Sequence, residues 1–305
     1  MINPYIGLDW NAAEYIKSMS HMHATNQERF EEAVKEGYRH IAVTNYQPSV
    51  PTYPLSDHFT NIPSHVIGCP NTEKVYTLNS SIHFCSLGSF AKGHGHTEGK
   101  TATWQQAFTE IIDQLQFPDG GGITINHPGY IGPETPEKLF EHLDFDPRVL
   151  GIEIYNSCGR KVDGLHQPCF YTDLWDAVLA TGRRCWGFAV VDWRLPHKNN
   201  WGSNVLIVPT FTEQECLKAY RNGAFFMQIK DIGLRFTNIS LTAGNLTVSV
   251  NNDCETKIIT ARGVVSTSVG RSAKYIISDN DVYVRIEATD ITDPNAQIFS
   301  NPIML

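Results

Sequence analysis

Between residues 21 and 222, short β-rich runs alternate with amphipathic helical stretches, and then the alternation stops. The first helix signal is Thr25-Asn26-Gln27-Glu28, with an N-cap three residues before Glu28. Phe30, Ala33 and Val34 follow at helical spacing, and Gly37 is a stop. Further helices are predicted over 103–115, from Thr135-Pro136 onward, over 171–181 and over 212–222. Strands are predicted near 17–23 and over 39–44, 65–70, 75–78, 82–87, 121–127, 149–156, 184–191 and 204–208. Strand followed by helix followed by strand points to a parallel β/α architecture. After Asp231 no convincing helix remains. Leu246-Thr247-Val248-Ser249-Val250 and the run from Val282 to Ala288 alternate, and polar turns recur at Asn251-Asn252-Asp253 and Asp279-Asn280-Asp281. About six short strands of this kind read as a small β-sandwich. The expected fold class is therefore α/β over residues 1–231 with a small all-β unit over 232–305.

The bulk properties narrow the partners. A formal net charge of −8 argues against a nucleic-acid polymer, whose phosphates select basic surfaces. A small anion is still allowed, because a bound metal supplies its own positive charge. The N-terminal Met1-Ile2-Asn3-Pro4-Tyr5 has no basic-then-apolar leader pattern, and no apolar run approaches the ~18 residues of a membrane span. The seven cysteines are dispersed without a C-x-x-C pair, which suits reduced thiols in a cytoplasmic protein. Twelve histidines is a high number for 305 residues.

Several of those histidines fall at predicted strand ends. In Ser20-His21-Met22-His23, side chains two apart share one face of a strand, so His21 and His23 point one way and Met22 the other. His83 opens one predicted strand, with Glu73 ten residues before it. His127 closes another in Asn126-His127-Pro128-Gly129, and Asp192 closes the run from Arg184. In a parallel β/α barrel, such ends meet at one face. Converging imidazoles and carboxylates there can hold metal, whereas any one of them alone is an ordinary surface or core residue. Glu153, near the same end, is either a partner of a metal-binding histidine or a paired structural acid. His94 and His96 lie in a glycine-rich loop that would organise a site poorly. The proline-rich stretch 48–63 reads as a loop over the site.

This order of motifs resembles the PHP family, the polymerase and histidinol phosphatase phosphoesterases, over about residues 15–230. The motifs that carry the resemblance are His21-Met22-His23, Thr44-Asn45-Tyr46 where the family usually has T-D-H, Glu73 before His83, Asn126-His127-Pro128-Gly129, and the strand closing on Asp192. The last segment is similar to a β domain appended to some two-domain PHP-like proteins. The resemblance implies a distorted (β/α)7 barrel. It also implies that His21, His23 and Asp192 hold one metal, His83 and His127 a second, and that Glu73 bridges them. The alternative reading of Glu73 is a solvated loop carboxylate.

The family's third metal takes histidines where this chain has Arg29, Tyr46 and Arg194. A guanidinium cannot ligate a cation and already carries positive charge. The expectation is thus two divalent ions, of zinc, manganese or iron. Arg194, together with Arg29, would stand in for the third ion and grip phosphate; alternatively, Arg194 pairs with an acidic neighbour. Two ions could share a hydroxide that attacks phosphorus in line, with Asp192 orienting it. Tyr46 either donates to a phosphate oxygen or merely packs. The implied activity is a phosphoesterase acting on a small phosphorylated metabolite or nucleotide. A metal-dependent hydrolase of another bond, or a degenerate binding protein, are the rival readings.

Overall fold

The structure is a computed structural model that describes residues 1–46, 50–76, 82–92, 103–129, 135–162, 165–192 and 201–305. In chain order the elements of the first part are β1 (Glu14–Met22), α1 (Gln27–Lys35), β2 (His40–Val43), β3 (Ile67–Gly68), β4 (Glu73–Tyr76) and β5 (Ile82–Leu87). They continue with α2 (Trp104–Asp113), β6 (Gly122–Ile125), α3 (Pro136–Leu143), β7 (Val149–Val162) and β8 (Leu165–Phe170). Then come α4 (Thr172–Leu179), β9 (Trp186–Val190), β10 (Gly202–Val208), α5 (Glu213–Asn222) and β11 (Phe225–Ile229). The remaining strands are β12 (Phe236–Thr242), β13 (Asn245–Thr260), β14 (Gly263–Ile276), β15 (Tyr283–Asp290), β16 (Gln297–Ser300) and β17 (Ile303–Met304). No described helix is long and apolar enough to cross a membrane.

The strands form two open sheets. One runs β12-β13-β15-β16-β11-β10-β1-β2-β3, with β14 on β13 and β17 on β15; the other runs β4-β5-β6-β7-β8, with β9 on β7. Parallel pairing holds for β1 with β2, β2 with β3, β6 with β7, and β7 with β9. Antiparallel pairing joins β1 to β10, β4 to β5 and β5 to β6. The sheets are thus mixed, and no ladder among the described residues closes them into a barrel. They do meet at one end. Asp192 forms a parallel bridge with Met22, and Glu73 N–H donates to Thr44 O at 3.3 Å. These contacts gather the ends of β1, β2, β4 and β9 around one point.

Helix capping follows the local sequence with one difference. The N-cap of α1 is Asn26, whose Oδ1 accepts from Arg29 N–H, rather than Thr25. Both α2 and α5 are capped by threonine, and Gly223 closes α5 in the left-handed conformation that glycine tolerates best. Between the sheets and helices lies one large apolar cluster, containing Phe84, Phe108, Ile152, Trp175, Phe188 and Phe225. A second cluster beneath α1 holds Met19, Met22, Phe30 and Val43. A third spans β10, β11 and the C-terminal strands, with Ile207, Phe226, Val248, Ile258 and Ile286. The strands from β12 onward continue the sheet that contains β1, because β16 pairs with β11.

Candidate metal centre

Met22 faces the apolar cluster under α1, while His21 and His23 turn to the other side, as a two-residue repeat requires. Their Nε2 atoms lie 3.4 Å apart. Glu73, the first residue of β4 and completely buried, stands opposite both. Its Oε2 is 3.2 Å from His21 Nε2 and 2.9 Å from His23 Nε2. Its Oε1 faces the other way, 2.9 Å from His83 Nδ1 and 3.3 Å from His127 Nε2. The carboxylate therefore separates two groups, His21–His23–Glu73 and Glu73–His83–His127. In each, the ligand atoms all lie within 4.8 Å of one another. Asp192 joins both. Its Oδ1 is 3.5 Å from His21 and 3.6 Å from His23, and its Oδ2 is 3.9 Å from His127. His83 and Asp192 are each 12% exposed against 0–1% for His21, His23 and Glu73, so solvent reaches the cluster from their side.

Two of these residues have backbones that ordinary residues avoid. His127 has φ +26° and Asp192 φ +66°. His127 also precedes a proline, which favours extended φ. Hydrogen bonds hold both in place. His127 N–H donates to Glu153 Oε2 at 2.5 Å, Asp192 N–H to His21 O at 3.0 Å, and His23 N–H to Asp192 O at 3.2 Å.

The donor set fits a divalent cation. Glu153 Oε1 lies 2.6 Å from His21 Nδ1 and accepts a hydrogen bond from the ring N–H. In the neutral ring this leaves a lone pair on Nε2, the tautomer following from the hydrogen-bond network. That lone pair faces the carboxylate oxygens of Glu73 and Asp192. Lone pairs aimed at a common point repel unless a proton or a metal ion sits among them. The titration behaviour shows the same demand. Burial pushes His21 down, but Cys85, Glu73, Asp192 and Glu153 outweigh it and hold the ring well above the usual histidine value. Burial likewise lowers His127, and Glu73, Asp192 and Glu153 raise it overall. Burial would raise Glu73, yet the charges of His21 and His83 and hydrogen bonds from His127 and His21 hold it well below the carboxylate range. Imidazole and carboxylate ligands with no thiolate among them suit zinc, manganese or iron.

Tyr46 covers the cluster. Its ring stacks on His23 at 4.7 Å and 27°, and stands edge-on to His83 at 6.4 Å. Burial pushes its phenol up, assisted by the charge of Glu73 and a hydrogen bond to it. Arg29 stands on the first turn of α1, half-buried. Arg194, His94 and His96 lie outside the described residues, as does most of 92–100. Two amides complete the site without having been expected there. Asn126 Nδ2 donates to Glu73 Oε1 at 3.1 Å and reaches Cys85 Sγ at 3.2 Å. Asn156 Nδ2 lies 2.8 Å from Glu153 Oε2 and 2.9 Å from Asp192 Oδ2.

Fold and cluster together define a mixed α/β protein with two His/Glu groups able to hold metal, joined through one carboxylate. No family model and no curated protein sequence matches the chain. Among solved structures, the chain is similar to a two-domain protein from Bacteroides vulgatus that contains a predicted PHP-like metal-dependent phosphoesterase. The identity is 13% and the TM-score 0.51, and the match covers 100% of this chain and 98% of that one. At that identity the likeness is one of fold.

Proposed function

We propose that the chain is a metal-dependent phosphoesterase acting on a small phosphorylated metabolite or nucleotide. The observation that carries the reading is Glu73, whose two carboxylate oxygens each face a separate histidine pair. His21, His23 and Asp192 would hold one ion, His83 and His127 a second, and Glu73 would bridge them. The fold likeness to a PHP-like protein supports the assignment, and on this reading the two sheets are the opened halves of a distorted barrel. Two such ions supply Lewis acidity toward water and toward a phosphoryl oxygen near neutral pH.

The chain's own groups supply the rest. Asp192, partly exposed at the mouth, would orient an incoming water as well as bind metal. Tyr46, held over His23, donates its phenol O–H to Glu73 and would turn it toward a phosphate oxygen on releasing that carboxylate. Burial that keeps this phenol protonated keeps it a donor. Arg29 and Arg194 are assigned to phosphate binding on sequence grounds alone.

A phosphomonoester assay with and without manganese tests the proposal, together with metal analysis of the purified protein. Glu73→Gln should lower the metal-dependent rate by about two orders of magnitude or more. Even outer-shell partners of metal ligands cost roughly 10–100-fold, and on this reading Glu73 would be a ligand to both ions. A wild-type protein that takes up no divalent metal, or a variant of undiminished activity, would sink the reading. Cleavage of an amide or lactone but of no phosphoester would keep the centre and change the substrate class.

A further inference from the structure

We propose that Glu153 is the positioning residue of the His21–His23 half of the centre, and that it acts by fixing the tautomer of His21. The proposal rests on the functional reading above, since it supposes that the cluster takes metal. Glu153 stands on β7 and is completely buried. Oε1 accepts from His21 Nδ1 at 2.6 Å. Oε2 accepts from the backbone N–H of His127 at 2.5 Å and from Asn156 Nδ2 at 2.8 Å. The same amide nitrogen reaches Asp192 Oδ2 at 2.9 Å. One carboxylate thus touches the first histidine pair directly, the second group through the main chain of His127, and Asp192 through a single amide. Because His127 is held at φ +26°, its hydrogen bond to Glu153 also opposes a backbone strain.

The number of acceptors is what matters. All three neighbours of Glu153 donate, so the position requires an acceptor on both sides. Glutamine has the same shape but offers one acceptor oxygen and one donor nitrogen. Two donors meet Oε2 and one meets Oε1, so the glutamine oxygen belongs on the His127 and Asn156 side. Its amide N–H then points at His21 Nδ1. His21 answers by accepting at Nδ1 and carrying its proton on Nε2, the atom that faces Glu73 and His23. A protonated Nε2 has no lone pair to give to a cation. Glu153→Gln therefore silences the His21–His23 group and spares the Glu73–His83–His127 group.

The test strips the full-length protein with a chelator and titrates it with zinc, followed by calorimetry and metal analysis. Wild type should take up two ions. Glu153→Gln should take up one with unchanged affinity and the second about 10–100-fold more weakly. Nitrogen–proton NMR of the zinc-loaded proteins provides a readout that a merely structural role would not move. Wild-type His21 should carry its proton on Nδ1, hydrogen-bonded and far downfield, and the variant should lose that signal. Two ions bound by the variant as in wild type overturn the proposal, and so does equal weakening of both. Should Glu153→Gln not fold, the wild-type spectrum decides by itself, because a His21 proton on Nε2 overturns the tautomer argument. A wild type that binds no zinc overturns the functional reading instead, so the two failures are told apart.

Discussion

Three side chains at the centre carry a proton balance that a divalent ion would disturb. His21 and His127 are held above the usual histidine value in the metal-free protein, and Glu73 below the usual carboxylate value. The histidine contribution to stability is fully present below their unfolded value of about 6.5 and is lost as pH rises through their folded values. The Glu73 contribution is present above its unfolded value and is lost as pH falls through its lowered one. The metal-free protein should therefore be most stable in mild acid and weaken toward alkaline pH. Metal binding has the opposite trend, because it requires neutral imidazoles and releases their protons. The expected result is a rise in melting temperature on adding manganese or zinc that is larger at about pH 8 than at about pH 6. Thermal melts with and without chelator measure it, and an equal rise at both values would contradict the assignment of these rings as ligands. At this scale the sequence was informative where chemistry is written in residue type. His21, His23, His83, His127 and Asp192, read at strand ends, lie close together around Glu73, which only the family resemblance had drawn in. Asn126 and Asn156 were not legible, because an amide has no signature until its donors are placed against carboxylates. The positive φ of His127 and Asp192 was equally hidden.

Strand β7 is the element on which the centre depends most, since it carries Glu153 and Asn156 between β6 and β9. Its position against β9 is set at Gly151, which pairs with Trp186. A Cβ at residue 151 would lie 1.9 Å from Trp186 O and 2.5 Å from Trp186 N, so any side chain there pushes two buried strands apart. Gly151→Ala should cost about 1–3 kcal/mol or more, the range of an overpacked core. It should also loosen metal binding, because Glu153 lies two residues further along. Urea unfolding monitored by tryptophan fluorescence measures the first effect and metal titration the second. An unchanged midpoint would show that β7 and β9 can yield. Elements with a clear period or a clear cap were legible: α2 and α5, with their threonine caps, fall where the pattern put them. Two strands were not. The run Phe225-Phe226-Met227 of β11 is buried on both faces and so lacks alternation. The hairpin of β7 with β8 continues through Ser157-Cys158-Gly159, which carries no strand signal. Antiparallel and parallel pairing were in part indistinguishable, because strand–helix alternation does not fix the direction of β10.

On the scale of the whole molecule, the change of composition near residue 231 raises the question whether the C-terminal part stands alone. The packing argues that neither part does. Tyr283, Phe299 and Met304 belong to the same apolar cluster as Trp175, Phe188 and Phe225. Val205, Ile207 and Phe226 in turn belong to the cluster of the C-terminal strands. Arg285, 2% exposed, meets Asp176 of α4 with two bonds of 2.6 and 2.7 Å. Asp176 is 29% exposed, so losing one partner costs less than the about 3–5 kcal/mol of a fully buried pair. Asn301 is completely buried. Its Oδ1 accepts from Gly187 N–H on β9, and its Nδ2 donates to Gly223 O and Phe225 O. Cutting the chain after residue 231 would strip β11 of its β16 neighbour and uncover an apolar sheet edge, which invites aggregation. A chain of residues 1–231 should therefore be insoluble, or lack a cooperative thermal transition and near-ultraviolet dichroism, and it should fail to retain metal. A soluble fragment that melts cooperatively and binds two ions would instead make the C-terminal strands a detachable domain. The strand path from β16 through β11 and β10 to β1 would then be an interface rather than the spine that carries His21 and His23 to the centre.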